Sequence, residues 1–173
     1  MESYNLDLYP AAGKIHLALF RNVRNTASLR ERLLKGDPSL SYAFVDARML
    51  LDPFQVLVAA NKAVHDQQHN SLKTRTLYSE ILYNLEPTSS ISEALRKFGI
   101  KEDTDALVIA KIGKEADEEE LKGVVEGELV PLAELDTFTD MNALKKCYKL
   151  GESINNKQEA ISLILGAMAV KSF

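Results

Sequence analysis

The sequence predicts an α/β fold: one domain over residues 1–173, with a small mixed or antiparallel sheet surrounded by several helices. Three observations carry that expectation. Residues 14–20 (KIHLALF) alternate, with Ile15, Leu17 and Leu19 on one face and His16, Ala18 and Phe20 on the other. Residues 106–112 (ALVIAKI) are apolar almost throughout, the pattern of a central strand. Asp52-Pro53 opens a helix whose apolar residues cover most of its circumference, so it belongs in the core.

In chain order, residues 14–20 form a strand with at least one buried face. Asn25 or Thr26 then caps a helix through Lys35, in which Leu29 and Leu33 pair at i,i+4 before Gly36-Asp37-Pro38 ends it. Residues 42–46 (YAFVD) form a short strand, and residues 47–51 carry no decisive pattern. From Phe54 to about His69 runs the core helix. Phe54, Leu57, Val58 and Val64 cover one side and Val56, Ala60 and Ala63 extend it, leaving Gln55, Lys62, Asp66 and His69 as a narrow polar strip.

Residues 79–85 (SEILYNL) suit a helix through Leu77, Ile81 and Leu85 and a strand through Ile81, Tyr83 and Leu85; the helix is preferred, ending at Pro87. Ser90 and Glu93 form a capping box ahead of Ile91, Ala94, Leu95 and Phe98, and Gly99 supplies a left-handed cap with Ile100 as its apolar contact. Short helices follow the second strand at about residues 117–125 and from Asp140 to about Tyr148, with Leu144 and Cys147 inward. A last helix spans Gln158 to about Val170.

The net charge of −4 and the single cysteine bound the function. A free-standing, non-specific nucleic-acid binder usually carries a basic surface, which the overall charge opposes. It leaves room for a local patch, since salt confines each charge to about 8–10 Å. Residues 61–75 hold Lys62, Lys73 and Arg75 against Asp66 alone, whereas residues 115–128 are densely acidic, so two surfaces with different roles are expected. Cys147 has no partner for an internal disulfide and fits a reducing compartment. No apolar run approaches the length needed to cross a bilayer, and the opening residues lack the basic and apolar regions of a secretory signal.

Chemical motifs are sparse. His65 and His69 stand at i,i+4, a spacing that can share zinc, but the intervening Asp-Gln-Gln lacks a zincin glutamate and a catalytic zinc wants three protein ligands; a solvated helix end is the reading. None of the 8 glycines forms a phosphate-binding loop, so no nucleotide cofactor is expected. Lys145, Lys146 and Lys149 could lower the pKa of Cys147, yet an inward small residue on an amphipathic helix is simpler.

Two features invite partners. Lys73-Thr74-Arg75-Thr76 places two cations and two hydroxyls in a short connection that can hold a phosphate backbone, although composition alone favours a solvated turn. In the last helix Ile161, Ile164, Leu165 and Met168 form one apolar stripe and Leu163, Ala167 and Val170 a second, with Gly166 between. Either both stripes are buried within the fold, or one packs at home and the other on another protein.

The blocks LDPFQVLVAANKAVH, KTRTL, SEI, Asn-Leu-x-Pro, ISEALRKFGI and KKCYKL, in that order, resemble the small subunit of the KEOPS (EKC) complex known as the PRPK-binding protein (TPRKB) family. LDLYP and LALFRNVRN near the start extend the likeness over nearly the whole chain. The resemblance implies a non-catalytic α/β subunit without a cofactor or metal, working in the cytoplasm and nucleus. Its direct partner would be an atypical small kinase/ATPase of the PRPK type. A threonylcarbamoyl transferase catalytic subunit and a small dimerising subunit would join through the complex, which makes N6-threonylcarbamoyladenosine beside the tRNA anticodon. The family member also helps recruit tRNA through its 3′ CCA end. Carried to this chain, the kinase surface would use Ile161, Ile164, Leu165 and Met168, and the tRNA surface Lys62, Lys73, Thr74, Arg75, Ser79, Glu80 and Leu95. A stand-alone RNA-binding module is the alternative.

Overall fold

Strand β2 (Lys14–Arg21) is the alternating run, and the sheet is built around it in the computed structural model, which describes residues 1–171. On one edge β2 pairs with β4 (Leu107–Gly113), in a register running from Lys14↔Gly113 to Phe20↔Leu107. On its other edge two short strands lie in tandem: β1 (Glu2–Asn5) against its first half and β5 (Glu128–Val130) against its end. β3 (Ala43–Asp46) flanks β4. Every pairing is antiparallel.

The helices are α1 (Thr26–Leu34), α2 (Pro53–Gln68), α3 (Leu77–Leu85), α4 (Ile91–Phe98), α5 (Glu118–Val124), α6 (Met141–Tyr148) and α7 (Lys157–Val170). Short 3-10 segments occupy Pro10–Ala12, Ala47–Met49 and Leu132–Thr137. They cover both faces of the sheet. Ile15, Leu17 and Leu19 of β2 share one core with Val56, Ala60 and Val64 of α2, Ile81 and Leu85 of α3, and Ile164 of α7. Ala18 and Phe20 share the other with Leu29 of α1 and Leu121 of α5. Burying a side chain such as Phe20 contributes about 1.5–3 kcal/mol. His16 is buried on β2 between two hydrogen-bond partners: its Nε2–H donates to the Gly113 carbonyl at 3.1 Å, leaving Nδ1 to accept from the Ser3 hydroxyl at 2.7 Å.

The polar strip expected along α2 is wrong at two positions. Gln55 is fully buried because its side-chain carbonyl accepts from the N–H groups of Leu51 and Asp52, at 2.7 and 3.2 Å. Asp66 is buried because it receives both Lys62 Nζ, 3.0 Å from each oxygen, and the loop that folds back over it. Phe54, counted with the apolar side, is 49% exposed, since the helix starts beyond the edge of the core.

Other caps differ in kind. Asn25 makes no side-chain bond to α1; its amide donates to the Val124 carbonyl and accepts from the Glu126 N–H, at 2.9 and 3.1 Å, tying α1 to the end of α5. Ser90 caps α4, but Glu93 leaves its half of the box for Arg96, 2.8 Å away. Gly99 is extended (φ −69°, ψ 156°), not left-handed. Glycine is needed there for space, because a Cβ would lie 2.4 Å from the Leu95 carbonyl oxygen. β1 and β5 escaped the sequence reading because they are short and half exposed, with too little alternation to register.

Gly99→Ala is therefore expected to destabilise the fold by about 1–3 kcal/mol through backbone displacement at the end of α4, measured as a fall in the chemical-denaturation midpoint.

Candidate functional site

The sheet separates the two charged regions. α2, α3 and the connection between them lie on the first core's side, and the acidic α5 on the second's. The connection, residues 69–76, leaves α2 at His69 and enters α3 through Thr76, whose hydroxyl accepts from the Ser79 N–H at 3.1 Å while the Ser79 side chain reciprocates. A connection held between two capped helices presents its side chains from a defined backbone.

Lys73 and Arg75 are exposed, and neither is drawn into an ion pair among the described residues. Lys62, by contrast, is half-buried and committed to Asp66 at 3.0 Å. Thr74 points inward, its hydroxyl donating to Glu80 at 2.6 Å, with Ser79 Oγ 3.0 Å behind it. Glu80 is fully buried beneath the connection, away from any surface where RNA could reach it. Leu95 is 43% exposed on α4, which Lys97 ties to Glu86 at 3.1 Å just past the C-terminal end of α3, whereas the connection enters at the N-terminal end. The structure thus brings Lys73, Thr74, Arg75, Ser79 and Glu80 into one unit, with only the first and third as free cations, and leaves Leu95 apart.

The last helix turns inward most of the residues that the resemblance assigned to the kinase surface. Ile161, Ile164 and Met168 are buried in the chain's own core, together with Ala160, and Leu165 is half-buried against it. The outward face carries Ser162, Leu163 (45% exposed), Gly166, Ala169 and Val170 (66% exposed). No atom lies within 4 Å of where a Gly166 Cβ would sit, so this face is open.

Lys171, which no sequence signal singled out, closes the end of α7 onto α3. Its Nζ donates to the Tyr83 carbonyl and sits 3.4 Å from the centre of the Tyr83 ring. Burial pushes its pKa down to about 8; the Glu86 and Glu80 carboxylates oppose that, and Lys62 adds to it.

His65 and His69 stack with ring centres 4.2 Å apart, and the Tyr9 hydroxyl meets His65 Nδ1. The described residues hold no group of three or more histidine, cysteine or acidic side chains placed around a metal. Cys147 behaves oppositely to what its lysine neighbours suggested. Burial and then the Glu86 carboxylate, 4.0 Å from Sγ, push its pKa up to about 11. Among the described residues no helix is long and apolar enough to cross a membrane.

Two exposed cations on a connection fastened between α2 and α3, and an outward apolar face on α7, thus stand on a helix-covered sheet. The chain belongs to the CGI-121 kinase binding protein family, whose model matches residues 20–172. It is 35% identical to the EKC/KEOPS complex subunit cgi121 of Aspergillus fumigatus, over 99% of this chain and 96% of that protein. It is 33% identical to the subunit of the same name in Schizosaccharomyces pombe, over 97% and 98% of the two chains. It is also 33% identical to the EKC/KEOPS complex subunit TPRKB of Danio rerio, over 88% of each.

The Cys147 environment has a direct readout. Alkylation of Cys147 by iodoacetamide in the folded chain should stay slow at pH 8 and accelerate only as the pH nears about 11, whereas a thiol with an ordinary pKa gains its rate near pH 8.5.

Proposed function

We propose that this chain is a non-catalytic subunit of an EKC/KEOPS-type complex that binds a PRPK-type atypical kinase and helps bring in tRNA by its 3′ CCA end for N6-threonylcarbamoyladenosine formation. The observation that carries the RNA half is the pair Lys73 and Arg75, exposed and without ion-pair partners on a connection fastened at both ends. Cations not already neutralised by carboxylates release counterions when they meet phosphate, and that release drives binding. A net charge of −4 over the whole chain supports a local contact made within an assembly in preference to a stand-alone RNA-binding module.

The kinase half is supported by the family description and by the open face of α7. Leu163 and Val170 supply apolar surface there, and Leu165 lies at its margin. The threonylcarbamoyl transferase and the dimerising subunit join through the complex. A single cysteine fits work in the cytoplasm and nucleus.

Leu163→Glu combined with Val170→Glu places charges on an exposed face, so folding is retained while co-purification with the kinase is expected to be lost; wild-type recovery removes α7 as the docking surface. Lys73→Glu with Arg75→Glu should weaken tRNA binding by the assembled complex about tenfold or more and shrink the salt dependence by about two phosphate contacts. Unchanged affinity and slope in a filter-binding titration would sink the assignment.

A further inference from the structure

Lys73 and Arg75 sit on a connection with no regular structure of its own, and one carboxylate gives it shape. Glu80, in the first turn of α3, is fully buried. Its Oε2 accepts from the Thr74 N–H at 2.8 Å and from the Thr74 hydroxyl at 2.6 Å. The Lys73 N–H points between its two oxygens, at 3.2 and 3.1 Å. Successive backbone N–H groups turned toward one point form the kind of concavity that elsewhere holds a phosphate. Here the chain supplies the anion itself, at a helix N-terminus that favours negative charge.

Two consequences follow from this geometry. The Lys73 and Thr74 N–H groups are occupied, so at these two residues an incoming phosphate meets side chains and no free backbone donor. The bonds to Glu80 are charge-assisted and out of water, the strong class of hydrogen bond, so they hold the backbone that carries both cations. The family resemblance makes residue 80 a contact, yet its burial gives it a different task.

We infer that Glu80 is a positioning residue: an internal anion that fills the N–H concavity at Lys73 and Thr74 and so fixes the platform from which Lys73 and Arg75 engage an RNA backbone. The RNA part rests on the tRNA reading above; the filling of the concavity stands on the hydrogen bonds alone.

The test compares Glu80→Ala and Glu80→Gln in the assembled complex, reading amide hydrogen exchange at residues 73–74 by mass spectrometry and tRNA affinity by filter binding. Glu80→Ala leaves the concavity empty. Exchange should rise about tenfold or more and tRNA affinity fall about tenfold, with kinase co-purification intact. Added acetate, a small carboxylate able to enter the vacated site, should partly reverse both changes, which a merely loosened fold would not do. Glu80→Gln keeps an acceptor and loses the charge, so it should fall between wild type and Glu80→Ala. Unchanged exchange in Glu80→Ala overturns the inference. So does raised exchange with wild-type tRNA affinity in a complex that Lys73→Glu with Arg75→Glu weakens. If that double variant binds tRNA normally while Glu80→Ala exchange rises and acetate reverses it, Glu80 remains the anchor of the loop and the tRNA reading falls instead.

Discussion

The pairing of β2 with β4, covered on both faces, is the constraint on which the rest of the molecule depends. Its register keeps Ile15, Leu17 and Leu19 facing one helical layer and Ala18 and Phe20 facing the other. A shift of one residue would exchange the two sets and move His16 off its Gly113 partner. Covering both sides also keeps the acidic α5 and the cationic connection after α2 apart, with a low-dielectric slab between them. Two oppositely charged surfaces on a small domain can then coexist without neutralising each other.

Within that frame, buried polar groups act as fasteners at the ends of elements. Asp46, at the end of β3, accepts from the Arg48 N–H, the Arg48 guanidinium, the Thr104 hydroxyl and Lys101 Nζ. Burial alone would raise its pKa; the Arg48 hydrogen bonds and the Lys101 charge outweigh that and hold it below the ordinary carboxylate range. Glu86 gathers Lys97 and Thr88 just after α3, and Gln55 caps the chain ahead of α2. Each of these side chains would cost free energy if left unpaired in the interior, and pairing instead pins a loop whose conformation hydrophobic contact does not specify. Glu80 belongs to this group, which is why an acidic residue stands under a basic loop.

Much of the fold was legible because its signals are local. Asp52-Pro53, Ser90 and Asp140, read as caps, each bond to a backbone N–H two or three residues on, within the reach of a short segment; Thr76, Asp117 and Asn156 do the same without having been singled out. The alternation of β2 and the apolar run of β4 are equally local. The candidate site was legible only in part. Lys73 and Arg75 could be picked out by residue type, whereas Glu80 and Ser79 joined them as contacts only through the family resemblance, which says nothing of depth. The terminal helix shows the same limit: its composition revealed two apolar stripes, and only the packing of α2 and α6 against it reveals which one is spent at home.

What the sequence determined by itself was the set of well-capped elements, the strand at the heart of the sheet and, through ordered blocks of residues, the family. What the tertiary structure alone decided was orientation. It turned Ile161, Ile164 and Met168 inward and Leu163 and Val170 outward, buried Gln55 and Asp66 while exposing Phe54, and replaced a left-handed turn at Gly99 with a close approach to Leu95. The reason is physical. Caps and periodicity are interactions among neighbours in the chain, whereas burial is set by residues tens of positions away that meet only once the sheet has formed.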